Sequence, residues 1–374
     1  MDFDLTEREK MIQSTAREFA VKEVLPRAAE IDRTAEFPKD VVRRMVKMGY
    51  FGLTYPPEYG GSGTGYVSYA LVIEQLARAS MTVAAIVAVS ILSQESLFRF
   101  GSKAQKKKFL VPLVEGKILG CFCFTEPATG SDPKAVATKA KLDGGQYVIE
   151  GQKNFISMAA AASQAIVFAK DESKRVSAFV VPTSAPGFQL REPCETLGLR
   201  GFGACVIYLD SVRVPEGNLL GEKGGGYEIM LEAISVERVG VAAQAVGVAQ
   251  AALDHSVEYA GQRIAHEKPI ANMPTIQWLL AEMASRIEAG RWLTYRTAFL
   301  RDQCQSIRND SAVAKLFCSQ AAVEVTRMAM QVHGAYGTMK SLPVERLYRD
   351  AKMTEVYVGV SEIQRAIIAS HLIK

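Results

Sequence analysis

The sequence lacks the features that mark several large classes of proteins. No apolar run reaches the roughly 18 residues of a membrane span, and the most apolar stretch, Met81 to Leu92, is too short. The four histidines are scattered, and none has a partner at a metal-ligand spacing. No nucleophile-elbow pattern is present either. We therefore expect no membrane span, no metal site, and neither a metal hydrolase nor a serine hydrolase.

Neither charge nor cysteine is distributed in a way that marks a function. The 44 basic and 40 acidic residues leave a net charge of +4 and are interleaved along the chain, which is not the pattern of a nucleic-acid-binding protein. The six cysteines match no zinc signature, and the start of the chain has no basic and then apolar leader. We expect reduced thiols in a cytoplasmic protein.

What the sequence does contain is a change of periodicity along its 374 residues. Helical spacing of apolar residues runs from Leu5 to about Gly116, after a capping box formed by Thr6 and Glu9. Short β-branched and aromatic runs separated by turn residues follow, to Gly221. Helical periodicity then returns, with long segments predicted near Tyr227–Arg263, Ile276–Asp302, Ser311–Val332 and Pro343–Leu372.

These changes predict an α+β multidomain fold. Its parts are an N-terminal α-helical domain at residues 1–117, a middle antiparallel β-domain at 118–225 and a C-terminal four-helix bundle at 226–374. A lysine cluster at 103 and 106–108 is interpreted as a solvated helix face, because apolar residues supply the opposite, buried face. A chain of this length can also bury a core that contains a deep pocket.

Five longer motifs lie in a fixed order across this plan. They are CFCFTEPATGSDP (121–133), IEGQKNFISMA (149–159), LGLRGFGACVIYLDSVRVPEGNLLG (197–221), ERVGVAAQAVGVAQAALD (237–254) and QVHGAYG to SEIQR (331–365). Together they resemble the acyl-CoA dehydrogenase family over essentially the whole chain. The resemblance implies FAD between the β-domain and the C-terminal helices, an acyl-CoA substrate, an electron-transfer flavoprotein as redox partner, and a homo-oligomer, commonly a tetramer, with a dimer left open.

The resemblance also implies which residues contact the isoalloxazine ring. Phe124 and Thr125 match the strand whose backbone and hydroxyl reach the ring. Phe155, Ile156 and Ser157 match the segment that flanks flavin N5, with Ser157 replacing the more usual threonine. That replacement keeps the hydroxyl donor.

Other positions are implied to contact the rest of FAD and the substrate. Ser131 matches a serine shared between flavin and coenzyme A contacts, and Arg263 matches an arginine that reaches the FAD pyrophosphate, usually of a neighbouring subunit. Gln331 and Gly334 match the loop that passes the adenine half. Several neighbours of these adenine-side positions depart from the family pattern. Arg238 is assigned to substrate binding together with Ser131 and Val358.

The largest departure concerns the catalytic carboxylate. In the family it precedes a Gly-Thr-Ser-Glu-Ile-Gln segment, but here that position is Val358, which takes up no proton. Its backbone N–H can still donate to the thioester oxygen. We therefore predict that Glu237, which matches an alternative base position in some branched-chain and long-chain members, is the base. The alternative is that Glu237 only pairs with Arg238 or with a surface cation.

These residues leave three functions open. The leading prediction is a dehydrogenase of an apolar acyl-CoA with Glu237 as base; an apolar acyl group is favoured because Val83 to Leu92 is uncharged. The runner-up dehydrogenates an unsaturated or alicyclic thioester at other carbons, or acts as an enoyl-CoA reductase, with Glu95 as a candidate acid. The third is a degenerate protein that binds an acyl-CoA or a partner without redox turnover.

Overall fold

The computed structural model describes residues 4–373, and its first third is helical. The helices are α1 (Glu7–Phe19), α2 (Leu25–Thr34), α3 (Lys39–Lys47), α4 (Gly65–Ala79), α5 (Met81–Phe100), α6 (Lys103–Gln105) and α7 (Val111–Val114). The predicted capping box starts α1: Glu9 N donates to Thr6 Oγ1 at 3.3 Å, and Thr6 N donates to Glu9 Oε2 at 2.7 Å. Three of the four predicted solvated lysines, Lys103, Lys107 and Lys108, are exposed, whereas Lys106 is half-buried, with its Nζ 5.3 Å from the centre of the Phe98 ring.

The sequence analysis expected no apolar segment long enough to span a membrane, and helix α5 shows that this expectation about length was wrong. It has 20 residues and a mean hydropathy of 1.6 over its most apolar window, which is enough to span a membrane by length and composition. However, 94% of that window is buried inside the fold. Its polar residues are satisfied locally, as where Ser90 Oγ donates to the Ile86 carbonyl at 2.7 Å. Helix α5 is therefore placed as a core helix.

The middle third forms one eight-stranded sheet. The strands are β1 (Gly120–Cys123), β2 (Lys139–Asp143), β3 (Gln146–Ile156), β4 (Gln164–Lys170), β5 (Val176–Pro182), β6 (Phe188–Pro193), β7 (Cys205–Pro215) and β8 (Leu219–Leu220). Their order is β6-β7-β3-β2-β4-β5-β8, with β1 also paired to β4. The pairings are mostly antiparallel as predicted, but β1 and β2 each pair with β4 in parallel.

Long helices fill the last third, next to a small hairpin of β9 (Ile264–Ala265) and β10 (Lys268–Pro269). The helices are α8 (Gly226–Gln262), α9 (Pro274–Asp302), α10 (Arg308–His333), α11 (Pro343–Met353) and α12 (Ser361–Leu372). The single helix predicted over Pro343–Leu372 is wrong, because residues 354–360 interrupt it. Val358 and Gly359 have left-handed φ values of 57° and 89° there, which no α-helix contains.

Candidate active site

A cavity of about 1610 Å³ lies where the sheet, α5, α8 and the 354–360 loop meet. It exceeds the roughly 300–1,000 Å³ of an ordinary ligand pocket, so it has room for more than one ligand. One side, which we call the strand wall, consists of Phe124, Thr125, Ser131, Phe155, Ile156 and Ser157. A second part of the lining, which we call the helical wall, consists of Val89, Leu92, Arg238, Tyr357 and Val358.

The strand wall brings together six residues that the sequence assigned to the flavin and its neighbourhood. A register shift between Lys153 and Ile156 in the β3–β7 pairing turns the chain. Phe155 consequently has a φ of 55° and a side chain that is 66% exposed, whereas Ile156 points into the sheet core. Asn154 N donates to the Thr125 carbonyl at 2.8 Å, which fixes the two segments to each other.

A buried ion pair behind this wall was not anticipated from the sequence. Lys153 is fully buried, and its Nζ donates to Glu126 Oε1 at 2.6 Å, to the Phe168 carbonyl at 2.6 Å and to the Phe124 carbonyl at 3.3 Å. The Glu126 carboxylate also accepts from the backbone N–H groups of Ala137 and Thr138. Burial alone raises the pKa of Glu126, but Lys153 and these donors more than offset it and lower that pKa.

The helical wall is built on the strained 354–360 loop. Val358 lines the cavity, and its N–H has no hydrogen-bond partner among the described residues. The loop is held from behind: Lys315 Nζ and Gln364 Nε2 donate to the Gly359 carbonyl at 2.7 and 2.8 Å. The Tyr357 hydroxyl donates to Gln244 Oε1 at 2.8 Å. A β-branched residue is rarely left-handed, so these contacts support a conformation that costs about 1–3 kcal/mol.

Glu237 does not line the cavity itself but lies behind the helical wall, where its carboxyl acts on Tyr69 and on the wall residue Tyr357. Its side chain is fully buried, and neither carboxylate oxygen has a hydrogen-bond partner. Burial raises the pKa of this carboxyl well above its ordinary value, and the nearby Tyr69 hydroxyl offsets only part of that rise. Gly240 keeps this space open, because a Cβ there would lie 2.4 Å from Tyr69 Oη and 3.3 Å from Glu237 Oε2.

Arg238 points the other way and lines the cavity. It is 3% exposed, and its Nε has no hydrogen-bond partner. Burial, together with the positive charge of Arg308, lowers the pKa of the guanidinium to about 10. Both carboxylate oxygens of Glu237 lack a hydrogen-bond partner among the described residues, so Glu237 does not pair with Arg238 or with a surface cation as the alternative required.

The remaining sequence-assigned residues lie away from the cavity. Glu95 is fully buried, ion-paired with Arg301 and hydrogen-bonded by the Tyr66 hydroxyl at 3.1 Å, so it is not an acid of this cavity. Arg263, Gln331 and Gly334 are exposed and do not line it. Among the residues whose side chains the structure describes, no group of three or more His, Cys, Asp or Glu is arranged to hold a metal ion.

The arrangement suits proton transfer at a carbon atom next to a carbonyl group. It combines a desolvated carboxyl, which can act as base or acid near neutral pH, with an unpartnered backbone N–H that can stabilise a developing oxyanion. The apolar side chains around both groups exclude water and so strengthen these interactions. A carbon atom next to a carbonyl group is only a weak acid, so its proton is removed slowly without a positioned base and an oxyanion donor.

Comparison with known families matches three successive parts of the chain. Residues 6–117 match the acyl-CoA dehydrogenase N-terminal domain, residues 121–212 the middle domain and residues 224–373 the C-terminal domain. These matches cover more than half of the chain.

Individual proteins are similar over the full length as well. Acryloyl-CoA reductase (NADH) of Anaerotignum propionicum is 40% identical over 100% of this chain and 96% of its own. The structure of butyryl-CoA dehydrogenase from Megasphaera elsdenii has a TM-score of 0.98 at 36% identity, covering 100% of both chains. A structure described as the electron transferring flavoprotein of Acidaminococcus fermentans also has a TM-score of 0.98, at 34% identity and 100% coverage of both chains.

Proposed function

The chain belongs to the acyl-CoA dehydrogenase family, and we propose that it is an FAD-dependent oxidoreductase acting on the CH–CH bond next to the thioester of an acyl-CoA. The observation that carries the proposal is Glu237, a fully buried carboxyl without a partner, directly behind the helical wall. In the dehydrogenation direction Glu237 takes the α-proton, and the Val358 N–H donates to the thioester oxygen. The chemistry that FAD supplies when bound is uptake or return of the hydride at the β-carbon.

The strand wall fits the isoalloxazine ring. The Phe155 side chain is 66% exposed toward the cavity, and the Thr125 and Ser157 hydroxyls line the same side, so an aromatic face and polar donors are available. The adenine half is assigned to Arg263, Gln331 and Gly334, which are exposed. We assign them to a cofactor shared across a homo-oligomer interface. Exposed Trp278 and Phe299 on α9 support such an interface.

An electron-transfer flavoprotein is the proposed redox partner, supported by the similarity to a chain in the electron transferring flavoprotein structure. A cytoplasmic location is also part of the proposal. It is supported by the six cysteines, which are all free thiols in the structure.

A second candidate function is reduction of an enoyl-CoA by the same residues. It is favoured by the same burial of Glu237, because burial raises the pKa of the carboxyl and so favours the protonated form that gives a proton to the α-carbon. The similarity to an acryloyl-CoA reductase supports it. Dehydrogenation at carbons farther from the thioester had Glu95 as its candidate acid. Glu95 is ion-paired with Arg301 and does not line the cavity, so no candidate acid remains for that reaction.

Anaerobic titration of the flavin-loaded protein tests both functions. Straight, branched and cyclic acyl-CoAs are expected to bleach the oxidised flavin, fastest at high pH where Glu237 is ionised. After chemical reduction, α,β-unsaturated acyl-CoAs are expected to restore the flavin absorbance, fastest at low pH. No response to any thioester in either direction, with FAD bound, contradicts both functions and leaves the non-redox binding protein.

A further inference from the structure

A glycine on α8 leaves a small space that a hydroxyl and a carboxyl share. Gly240 lies one turn after Glu237, so both face the same side of the helix. A Cβ on Gly240 would lie 2.4 Å from Tyr69 Oη, 3.2 Å from Ala88 Cβ and 3.3 Å from Glu237 Oε2. A larger residue here would therefore displace the Tyr69 hydroxyl from the neighbourhood of the Glu237 carboxyl.

The Tyr69 hydroxyl is not committed to a strong partner. Its one hydrogen bond to a described residue is to the Ala88 carbonyl at 3.4 Å, which is long for an O–H donor. Tyr69 is buried on α4, and its ring packs edge-on against that of Tyr66. The ring is therefore held in place, whereas the hydroxyl proton can still turn about the C–O bond.

Other ionisable groups on the elements packed around this part of α8 are directed elsewhere. Arg238 points into the cavity, and Tyr357, which feels the charge of Glu237, already donates its hydroxyl to Gln244 at 2.8 Å. The rest are occupied as follows: Glu95 of α5 with Arg301, Glu74 of α4 with Arg291 of α9, Lys315 of α10 with the Gly359 carbonyl, and Asp350 of α11 with the Leu199 N–H. Among the described residues, Tyr69 is therefore the donor available to Glu237.

Burial keeps the Tyr69 hydroxyl in the form that donates. It raises the pKa of Tyr69 well above the ordinary tyrosine value, and the charge of Glu237 raises that pKa further. The Tyr69 hydroxyl in turn lowers the pKa of Glu237, although burial has the larger effect on this carboxyl. A hydrogen bond to the ionised carboxyl favours that form over the neutral one.

We propose that Tyr69 is a positioning residue for the proton transfer: its hydroxyl turns from the Ala88 carbonyl to the Glu237 carboxylate when Glu237 is ionised, and so sets the pH above which Glu237 acts as a base. This rests on the proposed function. Tyr69 keeps its own proton throughout. Below that pH the neutral carboxyl gives a proton to the α-carbon of an enoyl-CoA, and above it the carboxylate takes one from an acyl-CoA. Tyr69 therefore extends dehydrogenation to lower pH.

The pH dependence of the flavin-loaded Tyr69→Phe protein tests this proposal. The change removes one oxygen atom and one long hydrogen bond, so the fold and the bound FAD should be kept. The apparent pKa for flavin reduction by butyryl-CoA should rise by about 1 unit, because the carboxylate loses a charge-assisted hydrogen bond. The rate should fall by about 10-fold below the wild-type pKa and stay unchanged well above it. A rate loss that is equal at every pH would indicate a merely structural role and overturn the proposal.

The reverse reaction and a second tyrosine provide the controls. Reoxidation of the chemically reduced Tyr69→Phe protein by crotonyl-CoA should continue to a pH about 1 unit higher than in the wild type. Tyr66→Phe is the matched variant, because Tyr66 is also buried on α4 but donates to Glu95 Oε2 at 3.1 Å. Its pH profile should stay at the wild-type position. An equal shift in both variants would overturn the proposal.

Infrared titration of the resting protein separates this proposal from the proposed function. The band of a protonated carboxyl that disappears in Glu237→Gln reports the pKa of Glu237 without turnover. In Tyr69→Phe this band should persist to a pH about 1 unit higher. If the band does not move while Glu237→Gln slows flavin reduction, only the role of Tyr69 is wrong. If the band moves but Glu237→Gln keeps the full rate, the proposed function fails, and the role of Tyr69 in proton transfer fails with it.

Discussion

The two walls of the cavity differ in how their charges are satisfied. Behind the strand wall, Lys153 and Glu126 form a buried ion pair. The Lys153 ammonium group also donates to the Phe124 and Phe168 carbonyls. Arg238 in the helical wall and Glu237 behind it are both buried, and neither forms an ion pair with a described residue. A satisfied network fixes geometry, whereas unpaired buried charges store free energy that a ligand can release. Under the proposed function, the strand wall is therefore the fixed support for the cofactor, and the helical wall is the place of the proton transfer.

The largest expected effect comes from removing the unpaired carboxyl. Glu237→Gln keeps size and burial but abolishes proton transfer, so the rate of flavin reduction should fall by about 10²–10⁴-fold while FAD stays bound. Stopped-flow absorbance measures both. Glu95→Gln is the matched control, because Glu95 is as deeply buried but ion-paired away from the cavity. A Glu237→Gln protein that retains the full rate would remove Glu237 from the mechanism.

The paired charges of the strand wall should matter for stability instead. Lys153→Met leaves the Glu126 carboxylate buried without its cation, which costs about 3–5 kcal/mol. The midpoint of urea unfolding measures this loss, and FAD retention should fall with it, because Lys153 holds the Phe124 carbonyl. Adding Glu126→Gln should recover part of the stability by removing the orphaned charge. If the free energy of unfolding of the Lys153→Met protein lies within about 1 kcal/mol of the wild-type value, the ion pair is not needed for stability.

The backbone of the helical wall allows a smaller test. Val358→Gly removes the strain of a left-handed valine, while the glycine gives the unfolded chain more conformational entropy. The net effect should be a stabilisation of at most about 1 kcal/mol. Val360→Gly is the matched control, because Val360 has a φ of −57° and should lose about 0.5–1 kcal/mol. Calorimetric melting temperatures compare the two. Equal destabilisation by both changes would mean that the loop stores no strain at Val358.

The sequence predicted the strand wall better than the helical wall, for physical reasons. A short apolar run such as 164–170 predicts a buried strand without knowledge of its pairing partners. This run forms β4, which is buried along almost its whole length. Strands β2 and β6, which are largely polar, were not predicted, because their pairing partners stabilise them. The motif around Phe155 assigned this residue to the flavin, and in the structure its side chain lines the cavity.

Charge pairing escaped prediction because it depends on distant parts of the chain. Glu126 is 27 residues from Lys153, and Glu95 is 206 residues from Arg301, so neither pair is visible as a local pattern. Glu95 was interpreted as a possible cavity acid for that reason. The break in the last helix was missed because apolar periodicity continues across residues 354–360 although the backbone turns.

The smallest effect concerns Lys315 and the pH dependence of stability. Burial and the charge of Arg238 lower the pKa of Lys315 from 10.5 to about 7 in the folded protein. Between these values the unfolded chain binds more protons at this residue than the folded chain, so stability rises with pH. The melting temperature of the wild type, relative to Lys315→Met, should therefore rise by on the order of 1 °C per pH unit from about pH 7 to 10. Gln364 still donates to the Gly359 carbonyl in the variant, so the loop keeps an anchor. A Lys315→Met curve parallel to that of the wild type would mean that burial and the neighbouring charges do not lower the pKa of Lys315 in the folded protein.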